Sequence, residues 1–342
     1  MSRDDRRGHP RDVLGRALDA QDWRACRAAA KALEEQPDER AAESLLRLAH
    51  AAAHAGATDD DREDLAEAQT LAVLALGRMR SPQAVEPFLR IVEEVLGDQG
   101  SDKLMLSWYV IEALGAIGDP RAVGPLTRAL AHVDVEVAKS AQAALARLGG
   151  PAVPPLLDIL RDSPSVPAIR ALAPGGDPRA IEPLIGLLRR DDVSEYIRGE
   201  AAWTLGTLRA TRTFDLLLDH FTDPGETSYV RRRAARGLGL LAERRAFEPL
   251  VAALTSPDWG IRADAARGLG HLGDSRATTP LARLLEDAHD EVCMDAARAL
   301  AEIGDAGALP ALLSAHAAAP GRSHSALVER TIAAALATIR RR

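Results

Sequence analysis

Residues 261–281, which read IRADAARGLGHLGDSRATTPL, decide the fold because similar stretches occur on both sides of them. The preceding copy begins VRRRAARGLG at residues 230–239, and the following copy reads EVCMDAARALAEIGD at residues 291–305. The Leu-Gly pairs that end at Gly239 and Gly270 are 31 residues apart. A period of this length predicts stacked structural units instead of one central core.

The same Leu-Gly or Leu-Ala pair can be followed through eight copies. Its second residue, used here as the marker of each copy, falls at Gly77, Gly115, Ala146, Ala173, Gly206, Gly239, Gly270 and Ala301. Seven copies have a proline nine or ten residues later, at Pro87, Pro125, Pro155, Pro183, Pro249, Pro280 and Pro310. Two signals that keep one phase over so many copies indicate a true repeat.

Each copy is expected to form two helices. Ile261, Ala265 and Leu269 recur at the spacing of one face of a helix. Gly273 follows, where glycine suits the left-handed backbone at a helix C-terminus. Pro280 then falls in the first turn of a second helix, where its missing N–H costs little. The chain is therefore predicted to be all-α, since strand-like alternation is nearly absent.

The repeat resembles the short HEAT-like repeats first noted in phycobilin lyases. The resemblance rests on the pattern Val/Ile-Arg-x-x-Ala-Ala-x-x-Leu-Gly-x-Leu-Gly-Asp-x-Arg-Ala-x-x-Pro-Leu and covers roughly residues 64–340. It implies a right-handed α-solenoid, a superhelix of about eight two-helix repeats with N- and C-terminal capping helices. It also implies that the Val-Arg helix lines the inner, concave side. Because such repeats occur in scaffolds, lyases and hydroxylases, the resemblance is specific for fold and not for function.

The regularity of the repeat changes along the chain and predicts five segments. These are a disordered tail (1–10), an N-terminal helical cap with a diverged first unit (11–63), HEAT-like repeats (64–160), an irregular Pro/Gly-rich repeat (161–176), and HEAT-like repeats with a C-terminal capping helix (177–342). In the irregular repeat, Pro164, Pro167 and Pro174 limit the inner helix to about two turns. We interpret it either as a decayed repeat that bends the stack or as a break that forms a pocket or hinge.

The composition favours a soluble cytoplasmic protein. The net charge of −7 argues against a general affinity for nucleic acid or anionic membranes. No 18-residue apolar run and no signal-peptide core are present. Cys26 and Cys293 are expected to be free thiols, as is usual in the cytoplasm. The chain has only three lysines and no asparagine, which is typical of a GC-rich, bacterial genome.

Candidate binding residues lie at two positions of the inner helix. The position three residues before the marker is expected to face the groove, and it carries Arg236, Arg267 and Arg298 in consecutive copies. Six residues before the marker are Asp264 and Asp295, which we expect to pair with the arginines three residues further on. The candidate set in the concave groove is Trp203, Glu200, Arg232, Arg233, Arg236, Asp264, Arg267, Asp295, Arg298, Trp108 and Tyr109.

Other basic residues fall into two groups. Arg232 and Arg233 stand in a cluster with an excess of basic charge and are predicted to bind a ligand. Arg198, Arg231 and Arg262 hold the position that, by the resemblance, forms a ladder with acidic turn residues. A self-paired, solvated face is the alternative interpretation of the whole set, because exposed ion pairs are weak.

The sequence predicts no catalytic residue, cofactor or metal site. Residues 268–273 match G-x-G-x-x-G but end a helix instead of following a strand, so they are not a dinucleotide site. His50 and His54 have a metal-ligand spacing that is more typical of a surface pair. The leading hypothesis is a non-catalytic scaffold that binds an acidic protein or peptide segment through arginine forks. The alternative is an enzyme or chaperone-like lyase of the phycobilin-lyase type, or a helical-repeat DNA glycosylase.

Overall fold

A computed structural model describes residues 9–53, 57–98, 103–318 and 325–341, which form twenty α-helices and no strand. The helices are α1 Pro10–Ala20, α2 Trp23–Glu35, α3 Ala42–Ala49, α4 Asp59–Arg78, α5 Val85–Gly97, α6 Leu104–Ile117, α7 Val123–Ala129, α8 Val135–Leu148, α9 Val153–Asp162, α10 Val166–Leu172, α11 Ile181–Leu188, α12 Glu195–Thr207, α13 Phe214–Thr222, α14 Ser228–Leu240, α15 Phe247–Ala253, α16 Trp259–Leu272, α17 Thr278–Arg283, α18 Asp290–Ile303, α19 Leu309–Ala318 and α20 Ser325–Arg340.

The repeat that decides the fold forms two helices joined by a short turn. Helix α16 is capped at its C-terminus by Gly273, whose φ of 71° is the left-handed conformation expected there. The Asp274 carboxylate accepts a hydrogen bond from the Arg276 N–H and so caps a 3-10 turn that leads into α17. Pro280 is the third residue of α17, where its missing N–H breaks no helical bond. The predicted helix–turn–helix unit is confirmed.

The helices divide into two compact units, residues 1–159 and 160–342. In the first unit the even-numbered helices α2, α4, α6 and α8 pack against one another in order, and in the second the same is true of α10 to α20. We call each of these the even-helix layer of its unit. Most odd-numbered helices from α3 to α19 pack against the even-numbered helix that follows. The chain is an all-α solenoid whose core consists mainly of alanine, leucine and valine.

Several predicted boundaries can be compared with the helices. Helix α1 begins at Pro10, the last residue of the predicted tail, because His9 supplies an N-cap acceptor. Residues 1–8 of that tail lie outside the described residues. Thr58 and Asp61 form a reciprocal capping box that starts α4. In the irregular repeat, α10 has only seven residues, in agreement with the two turns expected. No helix of the described residues is long and apolar enough to span a membrane.

Candidate binding site

Glu200 on α12 is the centre of a buried ionic cluster, with no part of the residue exposed to solvent. Its carboxylate accepts two hydrogen bonds from Arg170 on α10, at 2.9 and 2.8 Å. On α14, the Tyr229 hydroxyl donates to it at 2.7 Å and the Arg233 guanidinium lies 2.7 Å from it. One carboxylate thus joins three consecutive helices of the even-helix layer.

The pKa of Glu200 reflects two opposing effects. Burial on its own raises the pKa, because desolvation disfavours the charged carboxylate. Hydrogen bonds from Arg170 and Tyr229 and the charge of Arg233 outweigh burial and hold the pKa below its ordinary value. The carboxylate is therefore ionised at neutral pH and offsets one of the two positive charges that flank it.

The next two carboxylates of the layer repeat this arrangement. Asp264 on α16 accepts a 2.8 Å hydrogen bond from the Arg232 Nε of α14, and Arg236 Nε lies 3.7 Å from it. Asp295 on α18 lies 2.7 Å from the Arg267 Nε of α16. Both aspartates are buried, with 5% and 4% of their surface exposed.

Together these groups form an ionic ladder, which we define as Arg170, Glu200, Arg232, Arg233, Arg236, Asp264, Arg267, Asp295 and Arg298. In its regular part, an arginine on one helix extends to the carboxylate of the next helix. Stacked repeats reuse one interface geometry, and the ladder follows from that reuse.

The ladder confirms one of the two expected ion pairs and corrects the other. Asp295 and Arg298 do pair along their own helix, at 2.9 Å, as expected. Asp264 instead pairs with Arg232 and Arg236 of the preceding helix, because the close stacking of α14 and α16 brings those guanidinium groups nearer than Arg267. The acidic positions are also buried beneath the arginines and do not face solvent in the groove.

A cleft with a volume of about 230 Å³ lies over this ladder, between α14, α16 and α18. It is lined by Tyr229, Arg232, Arg233, Arg236, Trp259, Ala263, Asp264, Arg267, Glu291, Met294, Asp295 and Arg298. Trp259 is 37% exposed, stacks on His289 with ring centroids 5.5 Å apart, and has the Arg232 guanidinium 5.5 Å from its ring. These contacts hold the Arg232 side chain at the cleft.

Arg236 and Arg267 occupy equivalent repeat positions but differ in electrostatics. Burial lowers the pKa of Arg236, and the like charges of Arg267 and Arg233 add to that effect against the attraction of Asp264. Burial also opposes ionisation of Arg267, but Asp295 outweighs it and raises the pKa. The buried Nε atoms of both residues lack a hydrogen bond to any described residue, although Arg267 Nε is close to a carboxylate oxygen.

The remaining candidates lie elsewhere. Trp203 on α12 is half-buried and does not line the cleft. Trp108 and Tyr109 lie on α6 in the first unit, where Tyr109 is 36% exposed. The cleft therefore brings together Arg232, Arg233, Arg236, Asp264, Arg267, Asp295 and Arg298 of the predicted set, with Glu200 beneath Arg233.

The contributors to the site that were not among the predicted binding residues are Arg170, Tyr229, Trp259, Ala263, Glu291 and Met294. Arg170 stands in the same repeat column as Arg236, and this position could have revealed it. Tyr229 and Trp259 are aromatics at the start of their helices, a weaker signal. Met294 lies next to Asp295 and also lines the cleft, but its position in the repeat does not indicate this.

The predicted structural arginines are mostly confirmed. Arg198 bonds the Glu226 carboxylate at 2.8 and 3.0 Å, and Arg262 bonds Asp287 at 2.8 and 2.9 Å. Arg231 differs, because its Nε donates to the Phe221 carbonyl instead of an acidic side chain.

The other motifs provide no further candidate site. His50 Nδ1 lies 2.9 Å from the Leu46 carbonyl, whereas His54 is outside the described residues. No group of three His, Cys, Asp or Glu side chains in the described ranges is arranged to hold a metal ion. Residues 268–273 form the end of α16 and its C-terminal cap, as expected for a segment that ends the first helix of a repeat.

Comparison with known families defines the class of protein. The profile of HEAT repeats matches residues 101–167, 165–228 and 225–297, which is more than half of the chain. The profile of the PBS lyase HEAT-like repeat matches residues 292–315. The chain belongs to the HEAT-repeat family. No match was found among curated proteins.

Among similar solved structures, a karyopherin supports the fold. The karyopherin Kap121p bound to the extreme C-terminus of the protein phosphatase Cdc14p matches with a TM-score of 0.58 and 15% identity, over 93% of this chain and 40% of that one. An engineered protein matches with a TM-score of 0.37 and 21% identity, over 97% and 99% of the two chains. The CpcE–CpcF complex of phycocyanin lyase from Nostoc matches with a TM-score of 0.31 and 26% identity, over 53% and 99%. This chain spans only 40% of the length of the karyopherin Kap121p.

Proposed function

We propose that this protein is a non-catalytic scaffold that binds an acidic segment of a protein or peptide in the cleft formed by α14, α16 and α18. The observation that carries the proposal is the lining of that cleft, where five arginines meet three carboxylates. Two of those carboxylates, Asp264 and Asp295, are buried and already accept arginines of the ladder. Positive charge therefore remains at the surface, and a carboxylate ligand complements it.

Precedent supports a protein ligand for this fold class. Kap121p is known in structures with a segment of Cdc14p, with Nup53p and with Pho4p. Arginine is also enriched at binding hot spots, where its planar fork holds a carboxylate with two parallel hydrogen bonds. We propose a cytoplasmic location, which the two buried, free cysteines support.

The geometry favours binding over the enzymatic alternatives. A glycosylase needs a carboxylate that can reach a flipped base, and an aromatic residue beside it. The cleft does contain the aromatics Trp259 and Tyr229, but two of its three carboxylates, Asp264 and Asp295, are buried against arginines of the ladder. The ladder uses its carboxylates to hold arginines in place.

Fluorescence anisotropy with a labelled hexaglutamate peptide tests the proposal. Arg232→Gln combined with Arg298→Ala is expected to weaken binding by at least about tenfold, since a hydrogen bond to a charged group contributes about 1.5–3 kcal/mol. Asp264 retains Arg236 in this variant and Asp295 retains Arg267. Arg232 and Arg298 are not replaced by glutamate, because the new carboxylates would lie against the buried carboxylates of Asp264 and Asp295.

Two controls make the result interpretable. Arg212→Gln removes an exposed arginine of the second unit whose partner, Glu182, is also exposed, and we expect it to bind the peptide as the wild type does. Hexaglutamine should not bind. The proposal fails if hexaglutamate does not bind the wild type. It also fails if the double variant binds hexaglutamate as tightly as the wild type does while far-UV circular dichroism shows that the variant is folded.

A further inference from the structure

Charge balance in the cleft distinguishes between anions. The lining carries two more arginines than carboxylates. Glu200 and Arg170 lie next to this lining and add one charge of each sign, and Asp258 and Glu302 act on Arg232 and Arg267 from outside it. Within the lining itself, a single carboxylate leaves part of the excess of two uncompensated, whereas a dianion balances it.

Hydrogen-bond donors remain available on three consecutive helices. The Arg236 Nε on α14 is buried and makes no hydrogen bond to a described residue, so a ligand can reach this 19% exposed side chain only at its Nη groups. The Arg267 Nε on α16 lies 2.7 Å from Asp295, and the Nη groups of this 33% exposed side chain are the ones left for a ligand. Arg298 on α18 is 49% exposed and uses Nη1 on Asp295. Three guanidinium groups therefore have donors to offer to one ligand.

A phosphoryl group fits this arrangement better than a carboxylate does. It carries a charge of about −1.5 to −2 at neutral pH and has three strong acceptor oxygens, whereas a carboxylate has one charge and two oxygens. Clusters of arginine are the usual means of recognising phosphorylated motifs. The exposure of Arg298 and Trp259 leaves the cleft open at its rim, so the phosphoryl group can enter while attached to a polypeptide.

We propose that the cleft binds a phosphorylated side chain of a partner polypeptide, with Arg236, Arg267 and Arg298 as donors to the phosphoryl oxygens. This inference rests on the proposed function and specifies the ligand of the same site. The ligand adds a closer counter-charge to Arg236, whose nearest carboxylate, that of Asp264, is 3.7 Å away and is shared with Arg232.

Isothermal titration calorimetry with a short peptide tests the inference. The probe is acetyl-glycyl-phosphoseryl-glycine amide, compared with the same peptide carrying glutamate or unmodified serine. We expect the phosphopeptide to bind at least about tenfold more tightly than the glutamate peptide, and the serine peptide not to bind. Affinity for the phosphopeptide should fall as the pH is lowered through about 6, the second phosphate pKa. Affinity for the glutamate peptide should hold down to about 4.3.

Substitution of Arg236 separates binding from folding. Arg236→Gln is expected to reduce phosphopeptide affinity at least about tenfold while leaving the melting temperature unchanged or higher, because the substitution removes a desolvated charge. Arg298→Gln should also weaken binding and serves as a second variant if Arg236→Gln does not fold. Arg212→Gln is the matched control and should bind as the wild type does.

Three outcomes overturn the inference. In the first, the phosphopeptide binds no more tightly than the glutamate peptide. In the second, inorganic phosphate binds as tightly as the phosphopeptide. In the third, the folded Arg236→Gln and Arg298→Gln variants retain full affinity. If hexaglutamate still binds in the first case, only the inference fails. If neither hexaglutamate nor the phosphopeptide binds, the proposed function fails with it.

Discussion

At the scale of single residues, Glu200 shows why a charged group can lie in the core of this protein. Its carboxylate has no exposure, yet Arg170, Tyr229 and Arg233 supply donors to it from two neighbouring helices. A buried charge is tolerated only when it is paired and hydrogen-bonded in this way. Removing the Glu200 carboxylate leaves Arg170 and Arg233, which are 39% and 18% exposed, without their shared counter-charge.

Glu200→Gln is therefore expected to destabilise the protein by about 1.5–3 kcal/mol, the contribution of hydrogen bonds to a charged group, since solvent reaches part of Arg170 and Arg233. The measurement is the free energy of unfolding from urea denaturation at pH 7. Glu182→Gln removes a carboxylate whose ion pair with Arg212 is exposed, and should change stability by less than about 1 kcal/mol. Equal effects of the two substitutions would contradict the central role of Glu200.

The same cluster predicts a pH dependence. Because the folded-state pKa of Glu200 lies below its ordinary value, its contribution is complete above the unfolded-state pKa of about 4.3 and is lost as the pH falls through the lower folded-state pKa. The difference in melting temperature between wild type and Glu200→Gln should stay constant from pH 7 to 5 and shrink below about pH 4. A difference that is already shrinking at pH 6 would point to another group.

At the scale of helices, the marker glycines set the distance between neighbours in the even-helix layer. A Cβ added at Gly239 on α14 would overlap the carbonyl oxygen of Gly268 on α16. The same relation holds between Gly206 on α12 and Gly237 on α14. The short interhelical distance that results lets an arginine of one helix extend to the carboxylate of the next.

Gly239→Ala should separate α14 from α16 and destabilise the protein by about 1–3 kcal/mol, as overpacking does. Gly186→Ala on α11 is the matched control, because its added methyl group meets no atom within 4 Å and alanine favours a helix by up to about 1 kcal/mol. Thermal unfolding followed by circular dichroism at 222 nm measures both changes. An unchanged melting temperature for Gly239→Ala would show that the two helices can move apart at little cost.

These helices also show how far sequence reasoning extends. The helix pairs and the seven-residue α10 could be predicted, because apolar periodicity, glycine and proline act within a few residues of themselves. The partners of Asp264 could not, because its pairing with Arg232 depends on how α14 and α16 are offset along their axes. The sequence indicates which side chains are neighbours on one helix, three or four residues apart, but not which side chains of the next helix they contact.

At the scale of the whole molecule, charge is unevenly distributed. The chain carries 50 acidic and 43 basic side chains, and its net charge is −7, yet the cleft has a local excess of two arginines. At physiological ionic strength the Debye length is about 8 Å, so a short ligand in the cleft responds mainly to the arginines nearest to it. A long polyanion also approaches the acidic remainder of the surface, which repels it.

This contrast predicts selectivity for short acidic ligands over nucleic acid. A labelled 20-base-pair DNA duplex should not bind at 150 mM salt, where the hexaglutamate peptide does, because duplex binding needs many neutralised phosphates along an extended basic surface. Fluorescence anisotropy at 50, 150 and 300 mM salt measures both ligands under the same conditions. Salt-sensitive duplex binding that is lost in the Arg232→Gln, Arg298→Ala variant would contradict the scaffold proposal and favour a nucleic-acid function for the same cleft.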